Sequence, residues 1–382
     1  MEKIQKNNEL PDDHRLYTDK YFLRANHILI HVGLNPRVSM KVFARGEGKI
    51  TGLEDAVDVL LKYSDLKDKN GEIWVSKDEF YKNKDPLIII KGPIQSFIEL
   101  ETMYLGVLSS AISRADGIPD PEPEYIKDKL KKLKNIYEDI PISYFGARHY
   151  HWSLDKEIAK SALEGGAIQT STDIGSSNIG KCGVGTMPHA LILTLAYYYG
   201  RDKATLKAAR LFNEYFGDDV PVTTLIDTFN RELTDSLMVA RHFHDTKKTY
   251  MRIDTCGENI GENCSAYNGE KEKDPSFKTG TGVTTELAAK LRLNLIKDGY
   301  GDYTDTILTS GFGDEEKAKV FVKAQKEFKK STRYDLFVGV GIGEVSKAKF
   351  CTADIFAIEG KPFSKAGREV DYVDYNKLER IV

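Results

Sequence analysis

The stretch ILTSGFGDEEKAKVFVKAQKEFKKSTRYDLFVGVGIG, residues 307–343, contains the pattern that decides the fold. An apolar, strand-like run ends in a glycine turn, a helical pattern begins near Asp314, and a second strand-like run ends in alternating glycines. A strand, a helix and a second strand in this order form a βαβ unit, which places the two strands parallel in one sheet. The stretch therefore predicts a parallel α/β sheet.

The same alternation extends over most of the chain between residues 116 and 344. Apolar runs typical of strands lie at Pro141–Phe145, Ala167–Ser171, Val220–Ile226, Thr249–Ile253, Thr306–Thr309 and Asp335–Val340. Helical periodicity lies between them, at Leu154–Leu163, Pro188–Tyr199, Ala204–Tyr215, Thr284–Lys297 and Asp314–Phe328. Because the units are numerous and no G-x-G-x-x-G fingerprint follows the first strand, we expect an α/β barrel rather than an open doubly wound sheet.

Three regions differ in composition and pattern. Residues 1–115 are predicted to form an N-terminal α/β domain, and residues 116–344 the barrel that carries the active site. Residues 345–382 form a charged, short C-terminal extension, which we expect to pack on the N-terminal domain. Outside the barrel, helical and strand-like patterns lie at Tyr17–His31, Lys41–Ala44, Leu87–Lys91, Phe97–Ala111 and Ala353–Ile358.

The composition excludes several classes of protein. Of 382 residues, 55 are Lys or Arg and 58 are Asp or Glu, so the formal charge is −3 and gives no reason to expect nucleic acid or an anionic membrane as partner. Charged residues make up 30% of the chain, and the first 14 residues contain no apolar signal core. The four scattered cysteines predict neither a disulfide framework nor a zinc site. We expect a cytoplasmic protein.

The glycine turns after the last two strands are candidate phosphate sites. They lie at Ser310–Gly313 and Gly339–Gly343. Glycines let backbone N–H groups approach a phosphate closely, and a helix N-terminus adds a favourable potential. Either turn alone would be interpreted as an ordinary glycine turn. Two in succession favour phosphate binding, because paired phosphate loops after the last strands recur in α/β barrels.

Charged side chains follow several of the other predicted strands. Arg148 follows one strand, Asp227 follows another, and Arg252 and Asp254 lie two residues apart on one face of a third. Each could be a surface ion-pair partner. Together, at the carboxyl end of a barrel, they predict a site for an anionic, metal-bound substrate, with Asp227 and Asp254 suited to Mg²⁺.

His189 follows Pro188 at the start of a buried helical pattern, in the stretch GTMPHALILTLAYYY. A helix N-terminus disfavours the imidazolium cation, so His189 is expected to be neutral and able to act as a nucleophile. A phosphoryl group placed on it would be stabilised by the helix end. On spacing alone, a hydrogen-bonded core histidine is the first interpretation.

The motifs in their order along the chain resemble those of the nicotinate phosphoribosyltransferases, type II phosphoribosyltransferases, in their short archaeal form. The segments that carry the resemblance are TDKYF (18–22), GPIQSFIELETMYLGVLS (92–109), FGARHYHW (145–152), GSSN (175–178), GTMPHALI (185–192), LIDTF (225–229), RID (252–254), TSGFG (309–313) and IEGKPFSKAGR (358–368). The family often has R-I-D-S-G-D, whereas here Arg252-Ile253-Asp254 continues as Thr255-Cys256-Gly257.

The resemblance implies a fold and a reaction. The fold is an irregular α/β barrel with an N-terminal α/β domain and a short C-terminal extension. Nicotinate would attack phosphoribosyl pyrophosphate, giving nicotinate mononucleotide and pyrophosphate, with coupled ATP hydrolysis, as a step of NAD salvage. Mg²⁺ and ATP are implied, zinc is not, and the family's assembly is a homodimer or higher oligomer with shared active sites.

The resemblance also implies roles for individual residues. Phe145 would stack on the pyridine ring, Arg148 would pair with its carboxylate, and Tyr21 would stack on the other face from the neighbouring subunit. The substrate-binding set is Tyr21, Phe145, Arg148, His151, Ser177 and Thr186, with Ser177 near Arg148 favouring acid over amide. The catalytic set is His189, transiently phosphorylated, with Asp227, Arg252 and Asp254. The phosphate-binding set is Ser310, Gly311, Gly313, Gly339, Gly341 and Gly343.

Other interpretations of the sequence stay open. A nicotinamide or quinolinate phosphoribosyltransferase is the nearest alternative. A barrel sugar-phosphate lyase or isomerase would explain the phosphate loops equally well, but it requires a Schiff-base lysine or a carboxylate base at a strand end, and no such lysine is apparent. A non-catalytic nucleotide-binding protein is the third alternative.

Overall fold

A computed structural model describes residues 9–269, 273–369 and 372–382. The α-helices are α1 (Lys20–His31), α2 (Leu53–Tyr63), α3 (Glu101–Ala115), α4 (Pro123–Tyr137), α5 (Asp155–Glu164), α6 (Asp173–Ser176), α7 (His189–Tyr199), α8 (Arg201–Phe216), α9 (Glu232–Phe243), α10 (Thr285–Lys297) and α11 (Glu315–Thr332). The strands are β1 (Arg37–Ala44), β2 (Gly48–Lys49), β3 (Glu72–Ser76), β4 (Phe80–Tyr81), β5 (Pro86–Pro93), β6 (Ile142–Tyr144), β7 (Gln169–Thr170), β8 (Thr223–Leu225), β9 (Thr249–Ile253), β10 (Thr304–Leu308), β11 (Gly339–Ile342), β12 (Cys351–Ile358), β13 (Lys361–Pro362) and β14 (Leu378–Arg380).

The first sheet combines strands from both ends of the chain. Its order is β13-β12-β1-β5-β3-β14, and its pairs are antiparallel. β1 lies between β5 and β12, where Val42 pairs with Ile88 on one side and Ala353 on the other. Side chains of β1 alternate between exposed or partly exposed and buried from Arg37 to Val42, as expected for a sheet with one face on the core, and Phe43 and Ala44 at its end are also buried. The C-terminal extension therefore completes the N-terminal sheet.

The second sheet is parallel and follows the path of a barrel. Its order is β7-β6-β11-β10-β9-β8. The strand that comes last in the chain, β11, therefore pairs with the strand that comes first, β6. No strand pairing joins β7 to β8 in the described part of the chain. The loop before α7 bridges this gap, because the Val184 N–H donates to the Thr170 carbonyl of β7 at 2.9 Å and the Thr186 hydroxyl donates to the Thr223 carbonyl of β8 at 2.5 Å.

The predicted irregular α/β barrel is confirmed, together with a separate N-terminal sheet. Helices α4, α5, α9, α10 and α11 pack around the barrel strands or on one another, and their apolar faces are buried. The domain boundaries near residues 115 and 344 stay predictions. Among the described residues, no helix is both long enough and apolar enough to cross a membrane.

Candidate active site

A cavity of about 1380 Å³ lies at the carboxyl ends of the barrel strands, beneath residues of the N-terminal sheet. In a parallel α/β sheet the loops after the strands converge at this end, so side chains that are distant in sequence meet there. The predicted residues that line the cavity are Tyr21, Phe145, Arg148, Thr186, His189, Arg252, Asp254, Ser310, Gly311, Gly341 and Gly343.

Tyr21 of α1 and Phe145 after β6 form an open aromatic pair. Their ring centroids are 6.5 Å apart and their planes are inclined by 29°. This separation is about twice the 3.5 Å contact distance between carbon atoms, so one flat ring fits between them. Gly185 allows the approach on one side, since a Cβ there would lie 2.8 Å from the Tyr21 ring, whereas one on Gly341 would be at an ordinary contact distance of 3.5 Å from the Phe145 ring.

Both aromatic rings belong to the same chain. The structure therefore places Tyr21 in the pocket of its own chain, and its entry from a neighbouring subunit stays a prediction. The cause is local: the N–H of Lys20 donates to the Ser171 carbonyl at 2.8 Å, and Lys20 pairs with Asp173 at 2.7 Å. These contacts hold the start of α1 on the loop that follows β7 of its own barrel.

Arg148 lies beside the aromatic pair, opposite a buried carboxyl group that the sequence did not single out. Glu101, the first residue of α3, has Oε1 3.7 Å from Arg148 Nη1. Burial raises the pKa of Glu101 to about 8, although Arg148 opposes this shift. The Tyr21 hydroxyl donates to Asp19 at 2.9 Å, which fixes that ring. Arg148 therefore lines the same cavity as the two aromatic rings and Glu101.

Two of the predicted substrate-binding residues lie outside the cavity. Ser177 is exposed and donates to the Ile174 carbonyl at 2.6 Å, so it caps a short helical turn and does not face Arg148. His151 bonds to Ser153 at 2.8 Å at the start of the next turn. His149 lines the cavity instead, 3.0 Å from the Gly343 carbonyl, and burial lowers its pKa to about 3.

The loop after β10 combines strained backbone with a buried lysine. Ser310 and Gly311 have φ values of 74° and 78°, which turn the backbone sharply before α11. Lys317 of α11 donates to the Ser310 carbonyl at 2.9 Å, and burial lowers its pKa to about 8. Lys317 was not predicted as a site residue from the sequence. Its position in the first turn of a helix, seven residues after Ser310, was the available signal.

Two of the predicted phosphate-binding glycines, Gly313 and Gly339, do not line the cavity. Gly339 is the first residue of β11, at the end of the strand away from the cavity. A Cβ on Gly313 would lie 2.2 Å from the Glu344 carbonyl oxygen, so Gly313 lets the loops after β10 and β11 pack together. Neither glycine lines the cavity, and the expectation that they contact phosphate directly is corrected.

His189 and Asp227 form a pair at the N-terminus of α7. His189 Nε2 lies 2.9 Å from Asp227 Oδ2, and the helix begins at His189, one residue later than the predicted start at Pro188. Burial alone would raise the pKa of Asp227, but His189, Lys365 and Arg252 together hold it below its usual range. An ionised Asp227 accepts from Nε2–H, which leaves the Nδ1 lone pair of a neutral imidazole available.

Arg252 and Asp254 lie two residues apart at the end of β9. Arg252 donates to the Met187 carbonyl at 2.8 Å and lies 3.4 Å from Asp254, which also accepts from the Thr309 hydroxyl at 2.7 Å. Among the described residues, the second oxygen of Asp227 is buried without a hydrogen-bond partner. Carboxylate oxygens suit a hard cation, but Asp227 does not itself line the cavity, so the role of Asp227 and Asp254 in holding Mg²⁺ stays a prediction.

The C-terminal extension adds cations to the cavity that the sequence did not predict. The Ala366 N–H donates to the Thr228 carbonyl at 3.0 Å, which brings Lys365 and Arg368 over the barrel. With Arg45 and Lys84 from the N-terminal domain they form the cation cluster. Glu258 lies 3.1–3.3 Å from Arg45, Lys84 and Arg368, and within the described part of the chain Arg368 Nη1 is buried without a hydrogen-bond partner.

Among the described residues, no group of three or more His, Cys, Asp or Glu is placed to hold a metal ion. A cation bound by Asp227 and Asp254 would therefore take its other ligands from a bound substrate and from water.

The comparison with protein families finds one match. Residues 19–112 match the sequence model of the family described as quinolinate phosphoribosyl transferase, N-terminal domain. This region contains α1, β1, β5 and most of α3, which carry Tyr21 and Glu101 into the cavity.

Solved structures are similar over nearly the whole chain. A nicotinate phosphoribosyltransferase from Porphyromonas gingivalis is 16% identical with a TM-score of 0.62, covering 93% of this chain and 94% of that chain. A nicotinate phosphoribosyltransferase from Vibrio cholerae is 14% identical with a TM-score of 0.64, covering 92% of this chain and 87% of that chain. The chain thus has the type II phosphoribosyltransferase fold, which confirms the resemblance at that level.

Proposed function

We propose that this protein is a nicotinate phosphoribosyltransferase, which makes nicotinate mononucleotide and pyrophosphate from nicotinate and phosphoribosyl pyrophosphate. The observation that carries the proposal is the pair of rings of Tyr21 and Phe145, 6.5 Å apart, with Arg148 in the same cavity as the Ser310–Gly311 turn. A flat ring with one carboxylate fits the first part, and a sugar phosphate fits the second.

The pyridine would bind between the two aromatic rings with its carboxylate on Arg148. A guanidinium binds a carboxylate through two parallel hydrogen bonds, which orients the ring as well as holding it. Stacking on two faces fixes the plane of the ring. The ring nitrogen would then face the ribose carbon that it attacks.

Phosphoribosyl pyrophosphate would span the rest of the cavity. The 5′-phosphate would bind at Ser310, Gly311 and Gly343, close to Lys317 and the N-terminus of α11. The diphosphate would bind the cation cluster, where Arg45, Lys84 and Arg368 pair with Glu258 and Arg368 also pairs with Asp354. Mg²⁺, when bound, neutralises diphosphate charge, and Asp227 and Asp254 would hold it together with that group.

The chemistry needs positioning and charge stabilisation more than proton transfer. Departure of pyrophosphate leaves positive charge on the ribose carbon, so carboxylates nearby stabilise the transition state. Asp254 is held for this role by Thr309 and Arg252. The nitrogen of nicotinate carries a free lone pair, so no general base is required.

Coupling to ATP would use His189. Its Nε2–H is bound to Asp227, so Nδ1 would attack the γ-phosphorus of ATP and release ADP, and water would later release the phosphate. The alternative is that His189 only binds the ribose or diphosphate. His189→Ala should lose stimulation by ATP and keep slow, ATP-independent synthesis. Stimulation of this variant to the wild-type extent contradicts the coupling.

A quinolinate phosphoribosyltransferase is the second candidate, and the family match of residues 19–112 favours it. Quinolinate has two carboxylates, whereas the carboxylate of Asp19 lies near Arg148 and disfavours a second negative charge in this pocket. The test is to incubate the protein with phosphoribosyl pyrophosphate, Mg²⁺ and each of nicotinate, nicotinamide and quinolinate. We expect mononucleotide and pyrophosphate with nicotinate only. Product from quinolinate with release of CO₂ would favour the second candidate.

The homodimer and the cytoplasmic location implied by the resemblance are part of the proposal. Neither depends on Tyr21, which lies in its own chain's pocket. Sedimentation of the purified protein at several concentrations tests the dimer.

A further inference from the structure

We infer that Glu101 determines whether the ring pocket, the space between Tyr21 and Phe145 beside Arg148, accepts a pyridine ring with a carboxylate or one with an amide. It does so because it competes with that substituent of the ligand for Arg148. The inference rests on the proposed function and adds a specificity-determining residue to it. Ser177 lies on the surface and cannot have this role.

The geometry places Glu101 in direct competition with the ligand. Its side chain is 9% exposed, and its Oε1 lies 3.7 Å from Arg148 Nη1, in the cavity that Tyr21 and Phe145 also line. At this separation the two groups attract each other without a well-formed hydrogen bond. No hydrogen bond to the Glu101 carboxyl is found among the described residues. The contact can therefore be replaced by a ligand at little cost to the fold.

The charged groups that face Glu101 come from several elements. Arg148 after β6 and Lys365 of the C-terminal extension favour its ionised form, while Asp19 before α1 and Asp354 of β12 disfavour it. Burial is the largest effect and raises the pKa to about 8. At neutral pH Glu101 therefore keeps its proton, and Arg148 is left to the ligand.

The protonation state of Glu101 decides which substituent is favoured. A protonated Glu101 donates a hydrogen bond and does not repel a carboxylate bound to Arg148. An ionised Glu101 occupies Arg148, repels a carboxylate and accepts from an amide N–H. Binding of nicotinate should therefore require one proton on Glu101, taken from solvent when the free protein has lost it.

The first test measures the dissociation constant of nicotinate by calorimetry from about pH 6.5 to about pH 9.5. Nicotinate has no group that titrates in this range. For the wild-type protein we expect the constant to rise about tenfold per pH unit above about pH 8, as linkage to one proton requires. Nicotinamide should show no such rise. Titrations in two buffers with different ionisation enthalpies should give uptake of nearly one proton per nicotinate near pH 9.

The second test uses Glu101→Gln, which keeps the shape of the side chain and cannot ionise. We expect a constant that does not change with pH and binding of nicotinate about tenfold tighter than wild type near pH 9. The matched control is Glu99→Gln, because Glu99 bonds to Asn26 and His14 and does not line the cavity. It should keep the wild-type pH profile.

The outcomes separate this inference from the proposed function. If wild-type protein binds nicotinate with the same affinity and without proton uptake across this range, the inference is wrong while the proposed function stands. If it neither binds nor converts nicotinate at any pH, the proposed function is wrong, and the inference that rests on it is wrong as well. The buffer comparison uses wild-type protein only, so the inference is tested even if Glu101→Gln does not fold.

Discussion

Gly185 shows how a single residue shapes the ring pocket. Its φ is +127°, and a Cβ there would lie 2.8 Å from the Tyr21 ring. Gly185→Ala must therefore displace Tyr21 towards Phe145 or away from it. We expect kcat/KM for nicotinate to fall about tenfold to a hundredfold, the range that small displacements of a binding group produce. Steady-state kinetics with nicotinate as the varied substrate measure it.

Gly180→Ala is the matched control for this substitution. Gly180 lies in the same loop and also has a positive φ of +64°, but a Cβ there would meet nothing within 4 Å. An equal loss of activity in both variants would mean that backbone strain in the loop, rather than contact with Tyr21, is responsible.

Lys317 gives a second prediction at the level of one residue. Its buried ammonium has a pKa of about 8, so it loses its proton as the pH rises above that value. A phosphate binds the protonated form, and the KM for phosphoribosyl pyrophosphate should rise above about pH 8. Lys317→Met should raise this KM about tenfold or more at neutral pH and remove the rise, because a charged hydrogen bond is lost.

Lys319→Met provides the comparison, since Lys319 lies on the same helix, is exposed, and pairs with Glu316. It should have the wild-type KM at every pH. A Lys317→Met enzyme with unchanged KM for phosphoribosyl pyrophosphate would exclude Lys317 from the phosphate site.

The sequence predicted side chains that directly follow strands better than those on turns further along. Phe145, Arg252 and Asp254 lie within one residue of a strand end, so the barrel geometry itself aims them at the cavity. Ser177 and His151 lie several residues further on, where short helical turns rotate each side chain away from the cavity. Their direction depends on local hydrogen bonds that no pattern reveals.

At the scale of elements, regular periodicity predicted most of the barrel helices to within a few residues. Helices α4 and α9 were not predicted, although Ile126, Leu130, Leu133 and Tyr137 form a buried stripe along α4. The many lysines between them hid this stripe. Strand β11 begins four residues later than expected, because the N–H groups of Leu336 and Phe337 donate to the Gln325 side chain rather than to a strand. This shift explains why Gly339 is far from the cavity.

The two loops after β10 and β11 act as one unit through Gly313. A Cβ on Gly313 would lie 2.2 Å from the Glu344 carbonyl oxygen, so Gly313→Ala must separate the loops. We expect a rise of about tenfold in KM for phosphoribosyl pyrophosphate with little change in nicotinate binding, because the displacement is at the phosphate end. Kinetics with each substrate varied in turn distinguish the two effects.

Gly339→Ala is the control for the loop variant. The nearest atoms to a Cβ on Gly339 are 3.8–4.0 Å away, which is ordinary van der Waals contact. It should keep both KM values. A phosphate defect in Gly339→Ala would support the original assignment of Gly339 to the phosphate site.

At the scale of the whole molecule, the cavity exists because the two ends of the chain meet over the barrel. Strands β12 and β14 belong to the N-terminal sheet, and the segment between them carries Lys365 and Arg368 into the cavity. The sequence indicated that the extension would pack on the N-terminal domain. It could not indicate which side chains this packing would deliver, because the contact between Ala366 and Thr228 joins residues far apart in sequence.

The position of Tyr21 beside Phe145 of its own chain leads to the last prediction. Tyr21→Ala removes one of the two aromatic rings of the pocket, and Arg252→Ala removes the guanidinium group at the end of β9. If Tyr21 and Arg252 of one chain serve the same site, every site in a mixed dimer lacks one of them. We therefore expect no recovery of activity when the two inactive proteins are mixed under conditions where differently tagged wild-type subunits are seen to exchange. If Tyr21 instead entered the neighbour's site, half of the sites in a hybrid would have both groups, and up to a quarter of the wild-type activity would return in an equal mixture. Recovery on that scale would assign Tyr21 to the neighbouring chain, and with it the start of α1 that Lys20 ties to the barrel.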